Sequence, residues 1–168
     1  MGDGNFERAV VFMIKHSNEG SVGLVLNQPT HHHLSSLIPE WEGQMFEDST
    51  VFRGGPVELD SSLGLGRFVG DLNDNQIFII ANVGVIDLAL PPQEIPENLV
   101  NFRPYIGFSG WSPMQLEAEL AANAWFVVDA DPQDIFREET EDLWSLVLRR
   151  QKGPMSWLSN YPPDPRVN

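Results

Sequence analysis

The stretch AVVFMIKHSNEGSVGLVL, residues 9–26, is the part of the sequence that decides the fold. Two short apolar runs, 9–14 and 22–26, flank the turn-forming tetrapeptide Ser17-Asn18-Glu19-Gly20. Runs of this length and composition around such a tetrapeptide are typical of two strands joined by a hairpin. Because no polar residue interrupts either run, we expect both strands to be buried on two faces.

Three further strands are predicted outside this hairpin. Residues 51–53 form a short strand that runs into the Gly-Gly-Pro sequence at 54–56, where the backbone must turn or be approached closely. Residues 77–80 are the clearest buried strand of the middle third and follow a turn at 71–75. Residues 125–128 resemble a strand that ends at an aspartate.

Helices are predicted at 34–38, after Ser112 and from Thr140. Ser112 at the N-cap, with proline next and glutamine three positions on, forms a capping box. The last helix carries basic residues in its final turn, with Gly153 placed to cap it and Pro154 to end it.

Length and composition limit the possible functions. The 168 residues contain no linker or internal repeat, which predicts one domain over 1–168 with a loosely held tail from about residue 159. Ten Lys and Arg against 24 Asp and Glu give a net charge of −14, which argues against nucleic acid or an anionic membrane as a direct partner. The longest apolar run, 9–14, is far shorter than the ~20 residues of a membrane span, so we expect a cytoplasmic protein.

No catalytic residue is predicted, because the motifs that suggest chemistry are incomplete. Gly107-Phe108-Ser109-Gly110 lacks the second glycine that a nucleophile elbow needs two residues after the serine. The triplet His31-His32-His33 supplies too few ligands for a zinc site, and the chain has no cysteine to add. The sequence therefore predicts neither a metal site nor a cofactor.

The candidate ligand site combines two segments. The helix start after Gly110-Trp111 offers free backbone N–H groups, and Arg53 offers a positive charge beside accessible glycine backbone. Together they could hold a carboxylate or a phosphate. The alternative is that Ser112 only caps a helix and that the glycines only permit tight turns. The candidate ligand-binding residues are Asn27, Arg53, Gly54, Gly55, Gly110, Trp111 and Ser112.

Five motifs follow one another in a fixed order: Asn5-Phe6-Glu7-Arg8-Ala9-Val10-Val11, His16 with Gly20, Gly23-Leu24-Val25-Leu26-Asn27-Gln28-Pro29, Phe52-Arg53-Gly54-Gly55-Pro56-Val57, and the run from Gly107 to Glu117. In this order they resemble the YqgE/AlgH family of bacterial proteins, and Trp125 falls where that family also has tryptophan. The resemblance implies an α+β fold in which a strongly bent, bifurcated β-sheet forms a pseudo-barrel with flanking helices. It implies little about activity, because the family's common label of transcriptional regulator comes without a recognised DNA-binding element.

Family members usually begin with a strand of the type G-x-L-L-x-A-x-P ahead of the Asn5-Phe6 motif, and this segment is not found here. The resemblance therefore implies either a shortened start or an open sheet edge, and an open edge favours pairing with another chain.

Three functions are compatible with these observations. The first is a non-enzymatic regulatory or adaptor protein that binds another protein or a small ligand. The second is a carrier or enzyme for an anionic small molecule, held at the candidate ligand site. The third, a direct DNA-binding regulator, is disfavoured by the charge of −14. The sequence leaves the oligomeric state and the identity of any partner open.

Overall fold

The computed structural model describes residues 6–70 and 78–160. Within these residues the chain forms eight strands: β1 Val11–Ser17, β2 Gly20–Val25, β3 Pro29–His33, β4 Thr50–Arg53, β5 Val57–Phe68, β6 Phe78–Ile80, β7 Val83–Asp87 and β8 Leu99–Trp111. The same residues contain five α-helices: α1 Leu34–Leu37, α2 Gln115–Ala121, α3 Pro132–Ile135, α4 Leu143–Arg149 and α5 Pro154–Leu158. None of these helices is both long and apolar enough to cross a bilayer.

All eight strands belong to one bifurcated sheet. Its main path runs β1-β2-β8-β5-β7-β6, and the β3–β4 pair branches from β8. Strand β4 lies parallel to β8, with Arg53 opposite Ile106, whereas the other pairs are antiparallel. The sheet bends into a nearly closed barrel with helices around it, so the predicted α+β pseudo-barrel is confirmed.

The predicted hairpin is confirmed, but the burial of its first strand is not. Val11 of β1 lies opposite Val25 of β2 in an antiparallel pair. In β2, Leu24 and Val25 are fully buried, whereas in β1 only Phe12 is buried. The reason is that β1 lies at the end of the sheet path and has a neighbour on one side only within the described residues.

The two longest strands, β5 and β8, were not predicted because they contain residues that disfavour strands. Strand β8 includes Pro104 and Gly107, and β5 includes Gly64 and Gly66. A Cβ atom at Gly64 would lie 2.2 Å from the ring of Phe102, which belongs to the opposite strand. The glycines therefore make room for aromatic side chains, and this packing outweighs their low strand propensity.

Several local predictions are wrong. Residues 125–128 form no strand, and α4 begins at Leu143 rather than at Thr140. Gly153, at φ +75°, and Pro154 start the further helix α5 instead of ending α4, because proline is well suited to the first turn of a helix. Strand β6 is half-buried rather than fully buried. Ile77, the predicted turn at 71–75 and the tail beyond residue 160 lie outside the described residues.

The core of the described residues contains two apolar clusters, and strands β5 and β8 contribute residues to both. The larger holds the hairpin against α3 and α4, and the smaller packs around Trp41, whose ring stacks on Phe102 at 5.4 Å between centroids. The larger cluster borders a buried cation, since the guanidinium of Arg103 lies 4.1 Å from the ring centre of Phe52 and donates a hydrogen bond to the carbonyl of Arg137. Burial lowers the pKa of Arg103.

Candidate functional site

An apolar groove lies beside β1. Its volume is about 370 Å³, within the ~300–1,000 Å³ range of ligand pockets. We call it the β1 groove. Its walls come from β1 and the residues before it, from β8 and α2, from the segment 124–128 and from α4: Phe6, Arg8, Ala9, Val10, Val11, Met13, Trp111, Leu116, Leu120, Ala124, Trp125, Phe126, Val127, Val128, Trp144, Val147 and Leu148.

A second cavity of about 150 Å³ continues the β1 groove toward α3. The two share Val10, Val11, Met13, Val128 and Val147. Three carboxylates line this end, those of Asp129, Asp131 and Asp134. The groove therefore runs from an aromatic end to an acidic end.

The carboxylates at the acidic end differ in their partners. Arg150 forms an ion pair with Asp131 at 3.1 Å and a hydrogen bond with Asp134. Asp129 is exposed and makes no hydrogen bond or ion pair with another described residue. One negative charge at this end is therefore available to a ligand.

At the aromatic end, Glu119 of α2 is hydrogen-bonded to side chains from several walls of the groove. Its Oε2 atom accepts hydrogen bonds from the indole N–H groups of Trp111 at 3.0 Å and Trp125 at 2.7 Å, and its Oε1 atom accepts one from Gln115 at 3.0 Å. Partial burial acts to raise the pKa of Glu119, but the hydrogen bonds from Trp125, Gln115 and Trp111 outweigh it and hold the pKa below its usual value.

Aromatic packing further stabilises the arrangement of these wall residues. Phe6 stacks on Trp111 at 6.3 Å between ring centroids and meets Trp125 edge-on at 5.4 Å, while the two indoles lie edge to face at 5.9 Å. On the opposite wall the guanidinium of Arg8 lies 4.6 Å from the ring centre of Trp144. The aromatic end is thus preformed by contacts among its own wall residues.

One wall of the groove is a strand edge. The N–H of Leu26 donates to the carbonyl of Val10 at 2.8 Å, and the register continues through Val11 opposite Val25 and Phe12 opposite Leu24. In an antiparallel pair, hydrogen-bonded and non-hydrogen-bonded positions alternate, so the backbone groups of Phe12 point to β2 and those of Val11 and Met13 point away from it. No strand within the described residues pairs with that outer edge.

The segment 125–130 also lines the groove and has no described backbone hydrogen bond of its own. Residues 125–130 form neither helix nor strand. Ala124 donates its N–H to the carbonyl of Glu119 at 2.9 Å, and the next described backbone hydrogen bond along the chain is accepted by the carbonyl of Asp131. Phe126 and Val127 of this segment are 52% and 76% exposed although they are large and apolar.

The sequence-predicted ligand residues lie mostly elsewhere. The side chain of Asn27 accepts a hydrogen bond from the N–H of Val10 and donates one to the carbonyl of Arg8, both at 2.9 Å. Asn27 therefore holds the backbone that leads into β1.

Arg53 and the glycines after it lie along β8. The N–H of Gly54 donates to the carbonyl of Ile106 at 2.9 Å, and its carbonyl accepts from the hydroxyl of Ser109 at 3.0 Å. A Cβ atom at Gly55, which has φ +155°, would lie 2.4 Å from the carbonyl of Phe108. Both glycines permit a close approach of two backbones, and Arg53 itself is half-buried.

Gly110, Trp111 and Ser112 line a separate, open cavity of about 620 Å³, together with Lys15. Arg53 does not line this cavity, so the two segments share a neighbouring strand rather than one pocket. Trp111 is the one predicted residue that also lines the β1 groove.

The predicted capping box at Ser112 is only half formed. Gln115 accepts a hydrogen bond from the N–H of Ser112 at 3.0 Å, but α2 begins after Met114, which has φ +64° and occupies the N-cap position. The tight turn through Met114 replaces the reciprocal bond that a serine N-cap would make.

The histidine triplet lies on the exposed strand β3. The ring of His33 donates a hydrogen bond from Nδ1 to the carbonyl of Asp48 at 3.0 Å. Within residues 6–70 and 78–160, no group of three or more His, Asp or Glu side chains is placed to hold a metal ion.

Sequence reasoning did not identify the β1 groove. Its signals were present: Trp111 and Trp125 flank Glu119 in the sequence, and the apolar run at 125–128 is followed by an unusually acidic segment. What the sequence does not give is that this run lies beside β1.

Comparison with known proteins shows relatives over the whole chain. A family model described as AlgH-like matches residues 1–156. A UPF0301 protein of Streptomyces coelicolor is 39% identical over 173 residues, covering 100% of this chain and 90% of the relative, and one of Thermobifida fusca is 36% identical, covering 99% and 89%.

Two solved structures share the fold. A crystal structure of a Corynebacterium diphtheriae protein has a TM-score of 0.84 at 28% identity and covers 95% of this chain and 86% of its own. The solution structure of the AlgH protein from Pseudomonas aeruginosa has a TM-score of 0.70 at 26% identity, with coverage of 95% and 87%.

Proposed function

Because this chain belongs to the AlgH-like family, whose relatives' names state no activity, we propose from its own surface that it is a non-enzymatic adaptor that binds an apolar segment of another protein in the β1 groove. The observation that carries this proposal is a preformed, largely apolar groove with Phe126 and Val127 exposed at its rim. Exposed apolar surface of this kind is typical of interaction sites.

The composition of the groove favours binding over chemistry. Its walls are aromatic and aliphatic, and the carboxylate of Glu119 at its aromatic end is engaged by two indoles and an amide. A carboxylate held in this way by hydrogen bonds positions its neighbours and has little capacity left to act as a general base.

The charge of the groove favours a basic protein segment as the occupant. Asp129 lies unpaired within the described residues at one end, where Asp131 and Asp134 also line the cavity. The segment 117–142, which supplies part of the groove wall, contains nine acidic residues: Glu117, Glu119, Asp129, Asp131, Asp134, Glu138, Glu139, Glu141 and Asp142. Complementary charge steers association and selects partners. A segment with apolar residues followed by lysine or arginine fits both ends of the groove.

The test begins with selection of binders from a displayed library of random peptides on the immobilised full-length protein. Enriched peptides are then titrated against the protein by following tryptophan fluorescence, because Trp111, Trp125 and Trp144 line the groove. We expect enrichment of apolar sequences with an adjacent basic residue, and a change in emission on binding.

A pair of matched variants locates the binding. Phe126→Asp alters an exposed residue of the groove, and Leu59→Asp alters an exposed apolar residue on β5 outside it. Loss of one buried aromatic contact is worth about 1.5–3 kcal/mol, so Phe126→Asp should weaken binding by about tenfold or more, and Leu59→Asp should leave it unchanged. Equal affinities of the two variants, or a library that yields no enriched sequence, contradict the proposal.

A carrier or enzyme for an anionic small molecule is the second candidate. Its support is the open cavity at Gly110–Ser112, where Lys15 supplies a positive charge; Arg53 lies outside this cavity, on the strand that pairs with β8. Inorganic phosphate titrated into labelled protein should then shift the amide signals of residues 110–112, and Lys15→Ala should remove the effect with the fold intact. If phosphate shifts none of these signals, or if Lys15→Ala leaves the shifts unchanged, this candidate fails.

A further inference from the structure

Two segments that border the β1 groove have backbone groups without described backbone partners. One is β1, with the outward N–H and C=O groups of Val11 and Met13, and the other is the segment 125–130. Both sets of groups lie in the described part of the chain, and neither is hydrogen-bonded there to another backbone. We propose that the partner segment binds as a β-strand inserted between β1 and residues 125–130; this inference rests on the proposed function and specifies its binding mode.

The backbone geometry favours a strand over a helix as the occupant. A strand edge binds an added strand about 4.8 Å away through main-chain hydrogen bonds that do not depend on the partner's sequence. A helix would satisfy its own backbone and leave the groups of Val11 and Met13 unused. Strand insertion uses these groups and pairs the segment 125–130 at the same time.

The irregularity in β1 limits the length of the pairing. The register of β1 against β2 shifts between Met13 and Lys15, so a bulge interrupts the strand at that point. Beyond it, Lys15 and His16 are exposed polar residues, of the kind that protect strand edges from pairing. The partner strand therefore pairs with residues 10–13 and continues past the groove without further pairing to β1.

The alternation of a strand determines the sequence of the partner. One face of the inserted strand contacts the apolar wall formed by Leu116, Leu120 and Val147, and the other faces solvent. A basic residue at the end next to Asp129 matches the unpaired carboxylate there. The partner class is thus an extended segment with alternating apolar and polar residues and a basic residue at one end.

Amide hydrogen exchange of the full chain, followed by NMR, tests the binding mode with the selected peptides. In the free protein the amide of Phe12, which faces β2, should exchange slowly, and those of Val11 and Met13 should exchange fast. Peptide at saturation should slow Val11 and Met13 by about a hundredfold or more, since each gains a ladder hydrogen bond that must open before exchange.

A variant pair gives an independent readout. Met13 lines the groove, so both Met13→Pro and Met13→Ala lose its side-chain contact, but only Met13→Pro also loses the outward N–H. Met13→Pro should therefore bind the peptide about tenfold more weakly than Met13→Ala, with the hairpin intact. If Met13→Pro does not fold, methylation of the central amides of the peptide serves the same purpose and should weaken binding by about tenfold or more, in line with the loss of a backbone bond and a steric clash.

The outcomes separate this inference from the proposed function. Peptides that bind at the groove without slowing Val11 and Met13 overturn the strand mode and leave the adaptor proposal standing. Peptides that do not bind at all overturn the adaptor proposal first. Slow exchange of Val11 and Met13 in the free protein at every concentration, or slowing that grows with protein concentration, also overturns the inference, because the edge is then occupied by the chain itself or by a second copy.

Discussion

The carboxylate of Glu119 and the indole nitrogen of Trp125 lie 2.7 Å apart, and this hydrogen bond fastens the segment 125–130 to helix α2. The same oxygen accepts the indole of Trp111 from β8. One side chain therefore connects a helix, a strand and an irregular segment at the aromatic end of the β1 groove. Because residues 125–130 have no ladder of their own in the described structure, their position depends strongly on this contact.

Replacing Glu119 should loosen this wall of the groove. Glu119→Ala leaves two indole N–H groups without their acceptor, and we expect a loss of about 1–2 kcal/mol in the free energy of unfolding, because hydrogen bonds to charged groups are among the stronger ones. Thermal melting measures the change, which corresponds to roughly 2–4 °C per kcal/mol for a domain of this size. Glu94→Ala, at an exposed glutamate of a short 3₁₀ turn, is the control and should melt like the unmodified protein.

The contribution of Glu119 should depend on pH in a defined direction. Its pKa in the folded protein is lowered, so the folded state holds the ionised form more strongly than the unfolded chain does. Ionised Glu119 therefore contributes fully to the free energy of unfolding above the ordinary glutamate pKa of about 4.3. This contribution is lost as the pH falls through the lower pKa that Glu119 has in the folded protein. Urea denaturation of the protein and of Glu119→Gln at several pH values should show curves that differ at neutral pH and converge in acid. A difference independent of pH contradicts the assignment.

Asn27 should prove structural by a different measure. Its side chain satisfies the N–H of Val10 and the carbonyl of Arg8, so Asn27→Ala leaves two half-buried backbone groups without partners. We expect a loss of about 1–3 kcal/mol in stability. Because Arg8 and Val10 line the β1 groove, peptide affinity should fall as well. Asn18→Ala, in the exposed hairpin turn, should change neither quantity, and an Asn27→Ala protein of unchanged stability would mean that water replaces the amide at no cost.

The sequence predicts the parts of this fold that are set by local patterns. The hairpin of β1 and β2 follows from two apolar runs around a turn, and the barrel follows from the family motifs. Strands β5 and β8 were not predicted because they contain glycines and Pro104, which are unusual in strands. The glycines fit here because of packing between strands, and a short stretch of sequence does not show such packing.

The candidate site was harder to predict for the same reason. The predicted residues form contacts along β8 and before β1, whereas the β1 groove is formed by segments more than a hundred residues apart in the chain, β1 and 124–128. The run at 125–128 has the composition of a strand, but a strand needs a neighbour to pair with. The strand predicted from the composition of residues 125–128 is therefore wrong, because the segment has no neighbouring strand within the described residues.

Tyr105 provides a prediction about the core that is independent of the groove. Its ring is fully buried beside Arg103, and its hydroxyl has no hydrogen bond of normal geometry within the described residues. Burial raises the pKa of Tyr105 above its ordinary value, and the nearby guanidinium of Arg103 only partly opposes this. The neutral phenol is therefore favoured in the folded state.

Because folding raises the pKa of Tyr105, ionisation of this residue favours the unfolded chain. The protein therefore keeps its full free energy of unfolding below the ordinary tyrosine pKa of about 10 and loses part of it as the pH rises above that value. Tyr105→Phe removes the ionisable group and no normal hydrogen bond, so we expect it to be as stable as the unmodified protein at neutral pH, or more stable by about 1 kcal/mol. Above pH about 10 the free energy of unfolding of Tyr105→Phe should fall less steeply than that of the unmodified protein, by up to about 1.4 kcal/mol per pH unit. Urea denaturation of both proteins at several pH values measures this difference. A Tyr105→Phe protein that is markedly less stable at neutral pH would show instead that the hydroxyl is hydrogen-bonded to a buried water. If the stabilities of the two proteins change in parallel with pH, the pKa of Tyr105 is the same in the folded and the unfolded state.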